Sequence, residues 1–357
     1  YGGTGPALTF DFPLNTTYSS GNRSIDAAVT NLFYWTNIIH DVLYFYGFDE
    51  AAGNFQENTY GNGGSGGDLV WAEAQDGSGT CNANFATPPD GSNPRMQMYV
   101  CGSRDGDLDN AVIIHEYGHG ISNRLTGGAA NASALTNAEQ MGEGWSDWYG
   151  LMLTMESGDS RTDARGIGTW LIGEGANGPG IRPAPYSTNT AVNNFTYDDV
   201  SNTGAISQPH GIGFIWSTML WEMTWDLIDQ YGFDPDFYNG TGGNNIAMNL
   251  VTEAMKLQPV SPGFVDGRDA ILAADQAIYG GANECLIWDA FARRGLGYSA
   301  SQGSSASRTD GVEAFDVPPI TLSITNDVYC ESEGPVTLSG GVVSGGTYSG
   351  PGVTDDG

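Results

Sequence analysis

The feature that most constrains this chain is VIIHEYGHGIS, residues 112–122, where two histidines bracket a glutamate directly behind an apolar run. Apolar residues keep helical spacing from Asn110 to Leu125 and Gly127 and Gly128 follow as a stop, so a helix over 110–125 is expected. On it His115 and His119 lie about 40° apart around the axis, so both imidazoles can reach one metal ion. Glu116 projects about 100° round from His115, placed to touch a water on that metal rather than the metal itself. Such a helix is incomplete alone. A catalytic Zn2+ takes three protein ligands and keeps one position open, so the fold must bring a third ligand from elsewhere.

The chain has only four histidines, His40, His115, His119 and His210. One solution is a third histidine six residues past His119, with glycine at the third position. Those positions hold Leu125 and Ser122, which closes that route. The other solution is a carboxylate from the next helix. EQMGEGWSDWYG opens an expected helix over 139–155 and offers Glu143 as the third ligand. Asp147 follows one turn later on the same face, where it can bond the outer nitrogen of a metal-bound histidine and fix its orientation. Gly142 and Gly144 flank Glu143. Glycine inside a helix costs about 1 kcal/mol, so a close backbone approach is expected there.

With 42 acidic residues against 12 basic ones, the formal charge is -30. That disfavours nucleic acid as a partner, because a phosphate backbone needs basic groups. Solubility, a salty habitat or calcium ligation each accounts for the acidity. Asp105, Asp107 and Asp109 in SRDGDLDN are the candidate Ca2+ ligands. An EF-hand is excluded, since Asn110 stands where that loop needs glycine and Glu116 is already committed. A different calcium loop, or a solvated turn with Asp109 or Asn110 capping the helix, both remain open. Cys81 and Cys101 can form a local disulfide; Cys285 can pair with Cys330, or Cys330 with a cysteine farther along. No CxxC pair suggests a thiolate metal site. No apolar run is long enough to span a membrane. The chain opens without Met or a basic targeting segment and reads as a processed, secreted protein.

Along the chain, Ser24 is the expected cap of a helix running to Gly47, and residues 54–106 read as strands and turns, with Met96, Met98 and Val100 alternating. Residues 156–208 are loop-rich. From Ile212 an amphipathic helix is expected, followed by helices near 243–257, 265–279 and 283–294. Beyond Pro318 the texture is short β segments that resemble the start of an immunoglobulin-like module, too short for a whole sandwich of about 100 residues. The expected division is 1–108, a mixed α/β lobe; 109–317, a helical lobe with the metal-binding helices; and 318–357, a partial β module. His40, beside Asp41, is read as a structural hydrogen-bonding residue.

IIHEYGHGISNRLTGG followed by QMGEGWSDWYG resembles the fungalysin family of secreted metallopeptidases, on the thermolysin-like side of the zincins. NLFYWTNIIHDVLYFYGFDEAAGNFQ, GIRPAPYSTNT, PHGIGFIWSTMLWE and WDAFARRGLGYSA extend the likeness over most of residues 31–297. The resemblance implies an α+β, two-lobed fold with a β-rich N-terminal lobe, a mostly helical C-terminal lobe and one catalytic zinc in the cleft. It implies that Glu116 is the general base and His210 an oxyanion partner. Arg182 would hold the substrate backbone and support the ligand carboxylates. Asn82, Ala83 and Asn84 lie where an edge strand would bind the substrate. An oxyanion phenol has no clear counterpart; Tyr186 and Tyr197 are the candidates. It further implies an endopeptidase acting on proteins and peptides with bulky apolar residues after the scissile bond, a cleaved N-terminal propeptide, and a monomer. The alternatives are a zinc aminopeptidase, for which no GxMEN-like amine anchor is found, and a non-catalytic surface- or matrix-binding protein.

Overall fold

The structure, a computed structural model, describes residues 9–17, 19 and 23–319. The β module expected over 318–357, and with it Cys330, falls almost wholly outside those residues. The fold is mixed α+β. Helix α1, Ile25–Phe45, buries Ala28, Leu32, Ile39, Val42 and Leu43 on one face, as its 3.6-residue apolar spacing dictates. Ser24 does not cap it; its hydroxyl accepts from the Asn15 amide instead.

Five short strands follow: β1 Trp71–Glu73, β2 Ala83–Ala86, β3 Arg95–Met98, β4 Val100–Cys101 and β5 Arg104–Asp105. The first three form a sheet in the order β1-β3-β2, with β1 parallel and β2 antiparallel to β3. Met96 and Met98 are fully buried, as their alternation demands. The run breaks at Tyr99, so Val100 belongs to a separate two-stranded ribbon of β4 and β5. The expected Cys81–Cys101 disulfide is present and ties the start of β2 to β4.

The remaining elements are helices: α2 Asn110–Leu125, α3 Gly142–Met152, α4 Thr169–Ile172, α5 His210–Tyr231, α6 Gly243–Leu257, α7 Phe264–Tyr279 and α8 Glu284–Arg293. One hydrophobic core runs from Leu32 in α1 to Ala300 beyond α8. Two expectations need correction. Helix α5 is not amphipathic for most of its length, because every residue from Gly211 to Trp225 is buried, with α3, α6 and α8 packed around it. Helix α3 starts at Gly142 rather than 139, so Glu143 stands in its first turn. The preceding segment is held outside the helix, with the Glu139 amide and the Asn137 side chain both donating to the Ser305 carbonyl.

Three glycines set the spacing of α2, α3 and α5. A Cβ on Gly118 would lie 2.8 Å from Ser146 Cα, one on Gly144 2.4 Å from the Gly213 carbonyl oxygen, and one on Gly213 2.4 Å from Glu143 Cβ. The close approach anticipated around Glu143 therefore falls at Gly144; Gly142 would meet only the Gln140 side chain, at 2.9 Å. At the other end of α2, Arg124 donates to Asp68, the Gly53 carbonyl and the Pro88 carbonyl, pinning that helix to the segments before it.

Gly144→Ala should destabilise the protein by about 1–3 kcal/mol through overpacking against backbone that cannot give way. A lowered urea midpoint checks this; an unchanged midpoint would contradict the tight contact. A second expectation concerns Glu139, which is buried and accepts from Tyr197 Oη at 3.0 Å. Burial pushes this carboxyl up to about 7, with Asp310 and Asp266 adding to the effect. The folded state thus holds its proton more tightly than the unfolded chain. Its contribution is fully present below the ordinary carboxyl range and is lost as pH rises through about 7. Glu139→Gln should flatten the decline in urea midpoint between pH 5 and 8, measured against the parent protein.

Candidate active site

Helix α2 presents His115, Glu116 and His119 toward α3, all three on the side where Glu143 enters. His115, Glu116 and Glu143 are buried, while His119 keeps a fifth of its side chain exposed. The two Nε2 atoms are 3.1 Å apart. His115 Nε2 lies 3.3 Å from Glu143 Oε2, and His119 Nε2 lies 3.7 Å from Glu143 Oε1. Among the described residues, His115, His119 and Glu143 are the one group of His, Cys, Asp or Glu whose donor atoms converge closely enough to hold a metal ion, all within 4.8 Å of one another.

The donor set fits zinc: two imidazole nitrogens and a carboxylate. The electrostatics fit as well. Burial works against a charged His115, yet Asp147 and Glu143 push it up to about 10. Burial and the neighbouring His115 push His119 down to about 4. Burial opposes the Glu143 charge too, but His115, His119 and Arg182 hold its carboxyl well below the usual range. Two imidazole nitrogens and a carboxylate thus face one another at 3.1–3.7 Å, where a divalent cation would satisfy all three. Glu116 differs from Glu143. Burial, rather than any hydrogen bond, raises it to about 7, the range in which a carboxylate can both take and give a proton.

Behind this cluster lies a buried clamp. Asp147 is fully buried, and its Oδ1 is 2.7 Å from His115 Nδ1, on the outer side of the ring, as the one-turn spacing from Glu143 anticipated. Arg182 arrives from the loop after α4. It donates through Nε to Asp147 Oδ2 at 2.6 Å and through Nη2 to Asp147 Oδ1 at 2.8 Å and Glu143 Oε2 at 3.1 Å. Its side chain is only 2 % exposed, so these carboxylates absorb most of its capacity. His210 opens α5 and places Nε2 3.5 Å from Glu143 Oε1, with 57 % of its side chain open to solvent. It therefore stands at the mouth of the cluster, outside the ligand group.

The other candidate residues divide. Ala83 and Asn84 lie in β2, an edge of the three-stranded sheet, and Asn82 precedes it. The Asn84 amide is engaged, donating to Tyr99 Oη at 2.7 Å, whereas Asn82 is exposed. Neither candidate phenol faces the cluster from outside: Tyr186 is fully buried with its hydroxyl on Asp147, and the Tyr197 hydroxyl is spent on Glu139. Asp105, Asp107 and Asp109 are all buried just ahead of α2. Asp109 Oδ2 accepts from the Leu171 amide, Asp107 Oδ2 from the Gln75 amide, and Asp105 from the Gln75 side chain and the Asp107 amide. His40 is hydrogen-bonded to Asp41 and Gln56, at 3.0 and 3.1 Å, as expected of a structural residue. The sequence reading missed Gly213, whose missing side chain makes room for Glu143. The small-residue run GIG behind His210 was the available signal.

Comparison with known proteins agrees with this geometry. The model of the fungalysin metallopeptidase family (M36) matches residues 2–300. Extracellular metalloproteinase 2 of Trichophyton tonsurans is 46 % identical over 326 residues, covering 88 % of this chain and 50 % of the relative. Extracellular metalloproteinase mep of Aspergillus fumigatus is 47 % identical over 319 residues, covering 86 % of this chain and 49 % of the relative. Extracellular metalloproteinase MEP of Neosartorya fischeri is 48 % identical over 320 residues, with the same coverage. The chain spans about half the length of these curated relatives. It belongs to the fungalysin (M36) family of metallopeptidases.

Proposed function

We propose that the chain is the catalytic part of a secreted zinc endopeptidase that hydrolyses internal peptide bonds of extracellular proteins. The observation that carries this reading is the convergence of His115, His119 and Glu143 with Glu116 beside them, buried and free of hydrogen bonds. Those first three residues would hold Zn2+, which when bound supplies Lewis-acid polarisation of a peptide carbonyl and a water acidic enough to react near neutral pH. Secretion is inferred from the relatives, which are named extracellular.

The chain's own residues supply the rest. Glu116 takes a proton from the attacking water and delivers it to the nitrogen of the departing amine. His210, exposed at the start of α5, donates a hydrogen bond to the developing oxyanion. Asp147 holds the His115 ring through Nδ1, and Arg182 offsets the combined charge of Asp147 and Glu143. The outer edge of β2 would receive the substrate as an added strand, with Asn82 the freer of the two asparagines to grip it. In this reading the strand-bearing part up to 108 and the helices from 109 form the two lobes of a thermolysin-like zincin. A preference for bulky apolar residues after the scissile bond, a removable N-terminal propeptide and a monomeric state complete the proposal.

Zinc analysis together with chelator-sensitive cleavage of casein, and release of internal fragments from an end-blocked peptide, tests this function. A zinc-free protein, or cleavage only from a free amino terminus, would refute it. Glu116→Gln should keep one zinc and lose about 10²–10⁴-fold in kcat. Substantial turnover by that variant would remove Glu116 from its assigned role. Asp147→Asn should weaken zinc binding about 10–100-fold, read by competition with a chromophoric chelator.

A further inference from the structure

Tyr186 is a buried tyrosine that the catalytic scheme above does not use. Its hydroxyl donates to Asp147 Oδ2. The same Asp147 receives Arg182 Nε on Oδ2 and Arg182 Nη2 on Oδ1, and His115 Nδ1 lies 2.7 Å from Oδ1. A carboxylate offers about four acceptor positions; three take hydrogen bonds, and the His115 ring faces the carboxylate at the remaining side. Three of these donors come from protein outside α2, and together they leave Asp147 one orientation.

Tyr186 is itself held on several sides. Its main chain pairs with Arg165 in both directions, N to O at 2.9 and 2.7 Å. Its ring packs on Phe214 of α5 with centroids 5.1 Å apart. The next residue, Ser187, gives its carbonyl to Arg294, whose guanidinium is also clamped by Glu222 of α5. The phenol is thus aimed at Asp147 by the loop, by α5 and by α8, with no exposed surface of its own.

We infer that Tyr186 is a positioning residue for the metal: through Asp147 it orients the His115 imidazole, and it is not the phenol that meets the oxyanion. The inference rests on the zinc reading of the site. The physical reason is the depth of the carboxylate. In a buried site an acceptor left without its donor draws on the remaining ones, and Asp147 would then turn on its Arg182 contacts and carry His115 Nδ1 with it.

The test is zinc affinity of the purified protein, measured by chelator competition for the parent, Tyr186→Phe and Tyr197→Phe. The last variant removes an equally buried phenol whose partner is Glu139, and it controls for loss of packing alone. Tyr186→Phe should lower zinc affinity about 10-fold or more, with Tyr197→Phe near the parent. In an Asp147→Asn background, Tyr186→Phe should cause no further loss. Unchanged zinc affinity in Tyr186→Phe, or an equal loss in Tyr197→Phe, would overturn the inference. So would a drop of about 10²–10³ in kcat at saturating zinc with affinity intact, which is the mark of an oxyanion donor. Failure of the parent protein itself to bind zinc would instead sink the functional reading, so the two failures are distinguishable.

Discussion

The site depends on one buried contact set, the carboxylate of Asp147 between His115, Arg182 and Tyr186. Three segments meet there: α2 through His115, α3 through Asp147, and the loop after α4 through both Arg182 and Tyr186. Burying a carboxylate is costly unless it is paired and hydrogen-bonded. Here the pairing is complete, with Arg182 outweighing the burial that would otherwise raise Asp147. The same guanidinium reaches Glu143, so one side chain bears on both the carboxylate beside the His115 imidazole and the carboxylate of Glu143.

That economy of cations recurs through the molecule. The chain carries 12 basic residues and a net charge of -30, and all but Lys256 of those bases are arginines. Four of the arginines, Arg124, Arg182, Arg268 and Arg294, are buried. Each binds backbone carbonyls or carboxylates in the forked geometry that arginine permits and lysine does not. Arg124 pins the end of α2, Arg268 receives the carbonyls of Leu296 and Gly297, and Arg294 gathers the loop from Ser187 to Phe195 onto α5. These four buried arginines act as internal fasteners and are matched by buried carboxylates such as Asp68, Asp147 and Glu222.

Much of the site was legible in the residues. The helix carrying HExxH runs over the expected residues, and Glu143 and Asp147 meet His115 as their spacing anticipated. These are local relations, set by 3.6 residues per turn. Misreadings arose where long-range packing overrides local pattern. Helix α5 has polar positions that suggest a solvent face, yet it is enclosed by neighbours. Glu139 has a good helical context, but its backbone is bonded to Ser305 instead. Ser24 has the chemistry of a cap and serves Asn15. The three aspartates before α2 accept backbone and amide hydrogens from within the protein, partners that their spacing alone did not foretell.

By itself the sequence determined the helices that carry the HExxH and Glu143 segments, because these follow from residue type and short-range spacing; it allowed the Cys81–Cys101 disulfide without fixing it. Only the tertiary structure decided where Arg182, Tyr186 and His210 stand and what they touch. They come from loops and a helix start with no periodicity to orient them, and burial separates them: Arg182 and Tyr186 are sealed behind Asp147, while His210 stays open at the mouth. The placement of Glu143 was likewise a matter of packing, since it requires a glycine at 213, some seventy residues away, to leave the volume its side chain occupies.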